Sequence, residues 1–311
     1  MVRVYSAAEV HAALPWPALA EALEHAFTSG DVQVPLRHAH ALGDGASLLL
    51  MPAWSGQALG VKIVTVMPQA AVRGAVTVQA SYLLSDRDSG EPLALLDGEA
   101  LTLRRTAAAS ALAARHLARG DARTLLVVGA GRLAFWMACA HVALRPALER
   151  VQVWARRSEA AQALAAQLCS KGIAALAVSD LQSAVHKADV ITCATTATEP
   201  IVRGAWLAPG THLDLVGGFR PDMREADDDA VAMARVVVDT RAGALAEAGD
   251  IVQLLARGRI TAAHVRCELA ELLRGECLVR TSDTDITLFK SVGTALEDLV
   301  AARLVVERGT P

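Results

Sequence analysis

Residues 124–144 read TLLVVGAGRLAFWMACAHVAL, and this stretch decides the fold of the chain. The run TLLVV predicts a buried strand, and the apolar residues after the glycines predict a helix that ends before Pro146. Gly129 permits a tight turn, Gly131 lets the backbone approach a pyrophosphate, and Ala134 lets helix and strand pack closely. This strand, turn and helix predict a dinucleotide site with phosphates at the helix N-terminus. The alternative is a glycine turn in an α/β domain that binds nothing.

The same stretch has the apolar character of a membrane span over residues 125–144. Arg132 lies near its centre, however, and a charge in the middle of a bilayer is costly. Residues 1–10, MVRVYSAAEV, contain no apolar run of a secretory signal. We therefore expect no membrane span and no membrane partner, and we predict a cytoplasmic protein.

The composition favours a folded enzyme or binding protein. Hydrophobic residues make up 53% of the 311 residues, which supplies a large core and excludes a disordered chain. Lys and Arg number 30 and Asp and Glu 33, a net charge of −3, so no basic face for nucleic acid is expected. The five cysteines include no CxxC pair and the nine histidines form no ligand motif. Reduced thiols and no metal site are therefore predicted.

The pattern of elements changes at Gly120. After it, apolar strands alternate with helices, which predicts a parallel sheet covered on both faces. Before it, a helical segment over residues 6–29 is followed by short β-rich runs between turn sequences such as GDG and DRDSGEP. We therefore predict an α/β protein of two domains. One is a dinucleotide-binding domain over residues 120–286, and the other is an α+β domain over 1–119, to which 287–311 returns.

The residues after the second strand of the predicted dinucleotide domain indicate which coenzyme binds. Sites for NAD place an acidic residue there to bind the ribose 2′-hydroxyl. Here Trp154 is followed by Ala-Arg-Arg-Ser, with no acid before Glu159. The guanidinium groups of Arg156 and Arg157 suit a 2′-phosphate, so NADPH is favoured and NADH remains possible. The alternative is that both arginines are solvated loop residues.

Three cations lie in apolar surroundings of the first predicted domain: Arg37, Lys62 and Arg105. Lys62 stands between Val61 and Ile63 in a β-rich run, and strand alternation would point it at a buried face. A buried cation needs a partner. A substrate carboxylate is one candidate, and a structural ion pair is the other.

Five segments of the chain together resemble the ornithine cyclodeaminase/mu-crystallin family. In order, they are LRRTAAASALAA (103–114), GAGRLA (129–134), ATTATEP (194–200), VGGFRPDMREADDD (216–229) and LFKSVGTALED (288–298). The similarity extends from about Pro35 to Ala302, which is nearly the whole chain. It implies a Rossmann-type domain inserted into a substrate-binding and dimerisation domain, a nicotinamide cofactor and a homodimer.

The resemblance also implies roles for individual residues. Arg37, Lys62 and Arg105 would bind the α-carboxylate of an amino or imino acid, and Lys62 would be the charged group nearest the reacting carbon. Lys62 and Arg105 are thus the candidate catalytic residues. The positions that would contact the dinucleotide, besides Gly129 and Gly131, are Thr77, Arg105, Arg132, Leu133, Thr195, Val216, Gly217 and Ser291. Arg156 falls at the 2′-phosphate position of members that use NADP.

One position departs from the cyclodeaminase pattern. Ornithine cyclodeaminases carry an aspartate directly after the glycines that match Gly217 and Gly218, and it activates the ornithine side-chain amine. This chain has Phe219 there, and an apolar ring neither accepts a hydrogen bond from an ammonium nor acts as its base. The following residues RPDMRE resemble the ketimine-reductase and mu-crystallin side of the family. Asp222 also has a structural interpretation, because Glu225 three residues later gives the spacing of a helix cap.

The implied activity is therefore NAD(P)H-dependent reduction of small cyclic imino acids. The substrates would be Δ1-pyrroline-2-carboxylate, giving L-proline, and Δ1-piperideine-2-carboxylate, giving L-pipecolate. One alternative is another reaction on the same scaffold, either ornithine cyclodeamination or an alanine dehydrogenase-type amination of a keto acid. A second alternative is a mu-crystallin-like protein that binds NADPH or a small ligand without turnover.

Overall fold

The structure is a computed structural model that describes residues 2–309. The chain divides into two compact units. The first unit comprises Met1–Arg105 and Thr294–Pro311, and the second unit comprises Thr106–Gly293. Each unit has its own sheet, as the sequence predicted for a two-part α/β chain.

The first unit contains a mixed sheet. Its strands, within the described residues, are β1 (Arg3–Tyr5), β2 (His38–Gly43), β3 (Ala46–Trp54), β4 (Ala58–Val66), β5 (Val78–Asp86) and β6 (Pro92–Asp97). Their order across the sheet is β1-β6-β5-β4-β3-β2. The strands β2 to β6 are antiparallel neighbours joined by hairpins, as predicted, and β1 adds to the edge in parallel.

The first unit also contains helices, of which the last in the chain packs against β3, β4 and β5. They are α1 (Ala7–Ala13), α2 (Trp16–Ser29), α3 (Gly98–Leu117, in this unit up to Arg105) and α11 (Ala295–Arg308), with a short 3₁₀ helix at Pro68–Arg73. The predicted helix over 6–29 is two helices, because Pro15 has no amide hydrogen to donate and its ring disfavours a continuous helix. Ser6 and Glu9 form the predicted capping box.

The second unit contains a parallel sheet of eight strands in the order β13-β12-β14-β11-β10-β7-β8-β9. These strands are β7 (Thr124–Val128), β8 (Arg150–Trp154), β9 (Ala175–Ala177), β10 (Val190–Cys193), β11 (His212–Leu215), β12 (Arg235–Val238), β13 (Val265–Glu268) and β14 (Thr287–Lys290). Leu126 and Val128 pack into one hydrophobic core and Leu125 and Val127 into another. Both faces of the sheet are therefore covered, as predicted.

The helices of the second unit connect these strands. They are α4 (Arg132–Leu144), α5 (Ser158–Cys169), α6 (Leu181–Lys187), α7 (Asp228–Met233), α8 (Arg241–Glu247), α9 (Gly249–Ala256) and α10 (Leu269–Leu273), with 3₁₀ turns at Gly204–Trp206 and Ala262–His264. The apolar stretch of residues 124–144 forms β7 and α4. Across residues 2–309, no helix is both long and apolar enough to cross a membrane.

The division between the units differs from the predicted boundaries. The first unit ends at Arg105, inside helix α3, whereas the sequence pattern placed the boundary after residue 119. Strand β14 pairs with β11 and β12, so residues 287–293 belong to the second unit, and the return to the first unit begins at Thr294. The second division depends on which distant strands residues 287–290 pair with, and no local sequence pattern records that pairing.

The cysteines also differ from expectation. Cys267 on β13 and Cys277 beyond α10 form a disulfide, whereas the sequence predicted reduced thiols throughout. Their separation of 10 residues matches no recognisable motif. The chain folds back through α10 between them, and that turn brings the two sulfur atoms together.

Candidate active site

A buried cluster of two cations and two carboxylates lies in the first unit. Lys62 Nζ lies 2.7 Å from Asp298 Oδ2 and 2.9 Å from Oδ1. Arg105 Nε donates to Asp298 Oδ1 at 3.0 Å, and its Nη1 donates to Glu297 Oε2 at 2.7 Å. Asp298 thus bridges the two cations that the sequence placed in the substrate site.

The local sequence explains why these charges meet. Side chains alternate along β4, so Lys62 is 2% exposed while Ile63, on the opposite face, is 37% exposed. Glu297 and Asp298 lie in the first turn of α11, which Thr294 caps by accepting from the amide of Leu296. The N-terminus of a helix stabilises negative charge, so both carboxylates lie where they are favoured.

The cluster perturbs the acidity of its members. The pKa of Lys62 is lowered to about 8, because burial and the nearby charges of Arg105 and Arg37 outweigh the opposing effect of Asp298. Burial alone would raise the pKa of Asp298, but the two cations beside it hold that pKa below its usual value. Arg37 is therefore within electrostatic reach of Lys62, as the sequence predicted for a cationic pocket.

The cluster shows which partners the buried cations Lys62 and Arg105 have, a substrate carboxylate or structural ion pairs. Lys62 and Arg105 both have carboxylate partners, so the ion pairs exist. Arg105 uses Nε and Nη1 for them, and within residues 2–309 its Nη2 donates no hydrogen bond. One edge of a fixed guanidinium thus keeps donors for a further anion.

Thr77 lies just before β5, half-buried, and its carbonyl accepts from the amide of Met67.

In the second unit, the predicted glycine turn follows β7. Gly129 has φ +116°, which favours glycine, and a side chain there would lie 2.7 Å from the carbonyl oxygen of Ala194. Gly131 is the N-cap of helix α4 and offers no side-chain cap, and among the described residues no heavy atom other than those of its chain neighbours lies within 4 Å of the position that a Cβ would take there. The helix N-terminus therefore has room and uncapped amides for phosphate oxygens. Arg132 is exposed and Leu133 half-buried at the same end.

The two arginines of the predicted 2′-phosphate site lie beside this turn. The amide of Gly129 donates to the carbonyl oxygen of Trp154 at 2.8 Å, which joins the turn to the end of β8. Arg156 and Arg157 follow this end and are exposed. Within residues 2–309 the guanidinium of Arg156 has no hydrogen bond or ion pair, so its donors face solvent.

The remaining predicted contacts follow the carboxyl ends of neighbouring strands. Thr195 follows β10, Val216 and Gly217 follow β11, and Ser291 follows β14. In an open parallel sheet, ligands bind at this edge. The structure therefore brings these residues to the sheet edge at which the glycine turn lies. No group of three or more His, Cys, Asp or Glu residues in the described part of the chain could hold a metal ion.

Two buried carboxylates of this edge were missed by the sequence analysis. Glu225 accepts hydrogen bonds from Thr195 and Gly217, and Asp239 accepts from Ser291 Oγ at 3.1 Å and from the amide of Gly293 at 2.6 Å. Asp239 directly follows strand β12, which is a signal for a site residue. Glu225 gave only the spacing of a helix cap.

That capping interpretation is wrong. Asp222 is exposed and forms an ion pair with Arg220 at 2.7 Å, while helix α7 is capped by Asp227. Helix α7 begins after Asp227, so the three-residue spacing from Asp222 to Glu225 lies in a loop. Phe219, in place of the cyclodeaminase aspartate, lies in the same loop with 44% of its surface exposed.

The fold and the sheet edge define a class, the Rossmann-type dinucleotide-binding proteins that carry a second α+β unit. Within that class, this chain belongs to the ornithine cyclodeaminase/mu-crystallin family, whose profile matches residues 1–310. The resemblance found in the sequence and the α/β fold class are both confirmed.

Relatives and solved structures show which members of the family this chain resembles. The chain is 41% identical over 293 residues to the Δ1-pyrroline-2-carboxylate reductase of Paracoccus denitrificans, covering 94% of this chain and 92% of the relative. It is 35% identical, with a TM-score of 0.94, to the Thermococcus litoralis Δ1-pyrroline-2-carboxylate reductase in complex with NADH and L-proline, covering 99% and 97%. An archaeal alanine dehydrogenase dimer with bound NAD is 28% identical, with a TM-score of 0.92, covering 99% and 96%.

Proposed function

We propose that this protein is an NAD(P)H-dependent reductase of cyclic imino acids. Its substrates are Δ1-pyrroline-2-carboxylate, which gives L-proline, and Δ1-piperideine-2-carboxylate, which gives L-pipecolate. The observation that carries the proposal is the similarity over almost the whole length to a reductase whose structure holds NADH and L-proline. Reductases of the same name at about 40% identity in Paracoccus and Bacillus support it.

Arg105 and Arg37 bind the substrate carboxylate in this proposal. Asp298 and Glu297 hold Nε and Nη1 of Arg105, so Nη2 points in a fixed direction and binds the carboxylate without reorganisation. Arg37 adds a second positive charge close to the cluster.

Lys62 supplies the proton in this proposal. When bound, the reduced nicotinamide provides a hydride to the carbon of the C=N bond. With a pKa of about 8, the Lys62 ammonium is mostly protonated near neutral pH, yet it releases its proton more readily than an ordinary lysine. Asp298 keeps the Nζ atom in place through two contacts, at 2.7 and 2.9 Å. Lys62 and Arg105 are therefore the catalytic residues that we propose.

The coenzyme binds at the carboxyl edge of the second sheet in this proposal. The amides at the start of α4 hold the pyrophosphate, next to Gly129 and Gly131. Arg156 and Arg157 bind the 2′-phosphate, so NADPH is preferred and NADH is accepted. The remaining coenzyme contacts are those implied by the family resemblance: Thr77, Arg105, Arg132, Leu133, Thr195, Val216, Gly217 and Ser291.

We propose that the protein is a homodimer formed through the first unit. One face of its sheet carries a continuous apolar row: Val4, Leu95, Leu83, Val61 and Pro52. Val4 is 67% exposed and Leu95 37% exposed. The helix α11 contacts the opposite face, through Asp298 and Lys62. Large exposed apolar patches indicate interfaces, and the archaeal alanine dehydrogenase of this fold is a dimer.

Coenzyme oxidation by the purified protein tests the proposed activity. NADPH and NADH are followed with each cyclic imine, and ornithine with NAD⁺ and pyruvate with ammonia are assayed in parallel. We expect rapid NADPH consumption on the imines and none with ornithine, because Phe219 cannot activate the ornithine amine. Turnover of ornithine, or of pyruvate with ammonia but not of imines, would refute the proposed substrate class. Coenzyme binding without any turnover would indicate a binding protein.

A further inference from the structure

One buried carboxylate joins two loops of the second unit. Glu225 Oε1 accepts from the amide of Thr195 at 2.7 Å and from its hydroxyl at 2.8 Å. Oε2 accepts from the amide of Gly217 at 2.7 Å. Thr195 follows β10 and Gly217 follows β11, which are paired neighbours in the sheet. Glu225 itself is fully buried and reaches this edge from the loop before α7.

We propose that Glu225 is a positioning residue of the coenzyme site, whose ionised carboxylate holds the loops after β10 and β11 in the arrangement that binds the dinucleotide. The inference rests on the proposed function, because it takes the carboxyl edge of this sheet as the coenzyme site. Glu225 does not itself need to touch the coenzyme. It acts through Thr195 and Gly217, both of which were predicted to contact it.

The close approach of the two loops requires both a glycine at position 217 and a carboxylate at position 225. A Cβ on Gly217 would overlap the carbonyl oxygen of Thr195 and Oε1 of Glu225, so only glycine allows the two loops to approach so closely. Three donors converge on the two carboxylate oxygens. A carboxylate accepts all three, whereas an amide offers one acceptor oxygen and turns an NH₂ group against one of the loops.

Asp250 links the backbone of Glu225 to a third strand, β14. The amide of Glu225 donates to Asp250 Oδ1 at 2.7 Å, and Asp250 Oδ2 lies 3.0 Å from Lys290 Nζ at the end of β14. Asp250 and Lys290 are fully buried, and Lys290 lies in the strand paired with β11. A Cβ on Gly218 would lie 2.5 Å from Asp250 Oδ2, so the second glycine also leaves room for the network.

The charges around Glu225 make its ionisation sensitive to pH. Burial raises the pKa of Glu225 to about 7, with Lys290 on β14 opposing the rise and Asp250 on α9 adding to it. The Cys193 thiol on β10 is buried, which raises its own pKa and keeps it neutral. Lowering the pH through 7 therefore protonates Glu225 and removes an acceptor from the loops. Coenzyme affinity should fall in the same range.

The test compares Glu225→Gln with Asp227→Asn. Asp227 also accepts two backbone hydrogen bonds, from Gly204 and Ala230, each at 2.8 Å, but it holds neither Thr195 nor Gly217. Binding of NADPH is measured by fluorescence without substrate, and the thermal unfolding of each variant is measured in parallel. The pH dependence of binding, from about pH 6 to 9, is measured with NADH, because NADH lacks the 2′-phosphate that titrates near pH 6. The KM values for coenzyme and for imine are measured separately.

We expect Glu225→Gln to weaken NADPH binding about tenfold or more and to raise the coenzyme KM, with the imine KM at saturating coenzyme unchanged. Asp227→Asn should lower the melting temperature without changing coenzyme affinity. The wild-type affinity for NADH should fall below pH 7, and Glu225→Gln should show no such fall.

Equal coenzyme affinity of the wild type and Glu225→Gln would overturn the inference. If that variant does not fold, a wild-type affinity that is constant from pH 8 to pH 6 overturns it instead. A wild-type protein that binds coenzyme with the expected pH dependence but reduces no imine would refute only the proposed reaction. A wild-type protein that binds no coenzyme would refute both.

Discussion

Replacing Asp298 by Asn removes the charge that bridges Lys62 and Arg105. Both cations are buried, and breaking a buried ion pair by removing one partner costs about 3–5 kcal/mol. Asn keeps an oxygen that can accept one hydrogen bond, so we expect about 3 kcal/mol of destabilisation. For a chain of this size, that lowers the melting temperature by roughly 5–10 °C.

The same substitution should change the pH dependence of turnover. Burial has already lowered the pKa of Lys62 to about 8, and the charge of Asp298 opposes that shift. Without Asp298 the pKa of Lys62 falls further. Because the proposed mechanism needs the protonated amine, turnover decreases as the pH rises through this pKa. In Asp298→Asn the decrease should begin at a lower pH than in the wild type.

The matched control is Glu297→Gln, which changes the neighbouring carboxylate in the same turn of α11. Glu297 pairs with Arg105 at 2.7 Å, while the carboxylate that pairs with Lys62 is that of Asp298. Both variants should lose stability, measured by thermal unfolding, but only Asp298→Asn should shift the pH profile of kcat with saturating imine and NADPH. A profile for Asp298→Asn that matches that of Glu297→Gln would refute the assignment of Lys62 as proton donor.

Three further predictions concern the catalytic lysine, the coenzyme and the interface. Lys62→Met should keep NADPH affinity but lower kcat about 100-fold or more, and unchanged turnover would remove Lys62 from the mechanism. Arg156→Ala should weaken NADPH binding by about tenfold to 100-fold and leave NADH binding unchanged, since only NADPH has the 2′-phosphate; Arg150→Ala, at the other end of β8, is the control in the same titration. Leu95→Glu should convert a dimer to monomer in sedimentation analysis, whereas Leu176→Glu, on an exposed strand of the second unit, should not; a dimer that survives Leu95→Glu contradicts the proposed interface.

The second unit shows which features of the fold local sequence can predict. Strands β7 and β10 are mainly apolar runs, and the turn at Gly129 has the positive φ that the glycine predicted. These features depend on residues within a few positions of each other, so the strand, turn and helix could be derived before any tertiary contact was known. The exposed arginines after β8 also lie where the sequence placed them.

The electrostatic partners could not be derived in this way. Alternation along one strand predicted that Lys62 is buried, but its partner Asp298 is 236 positions away in the chain. The spacing from Asp222 to Glu225 fits a helix cap, but the partners of the Glu225 carboxylate are Thr195 and Gly217. A carboxylate binds whichever donors the fold brings to it, and one-dimensional spacing does not record them.

The sequence by itself determined the parallel sheet, the dinucleotide turn, the cations in apolar surroundings of the first unit and the family. The first three follow from hydrophobic periodicity and from residue types at short spacing, and the family follows from the resemblance of five segments along the chain. Only the tertiary structure decided that β14 belongs to the second sheet, that Cys267 meets Cys277 and that Asp298 bridges the two cations. The first and the third depend on contacts between distant segments, which form because burying the chain leaves strand edges and charges that must find partners, and the second depends on the turn of the chain through α10.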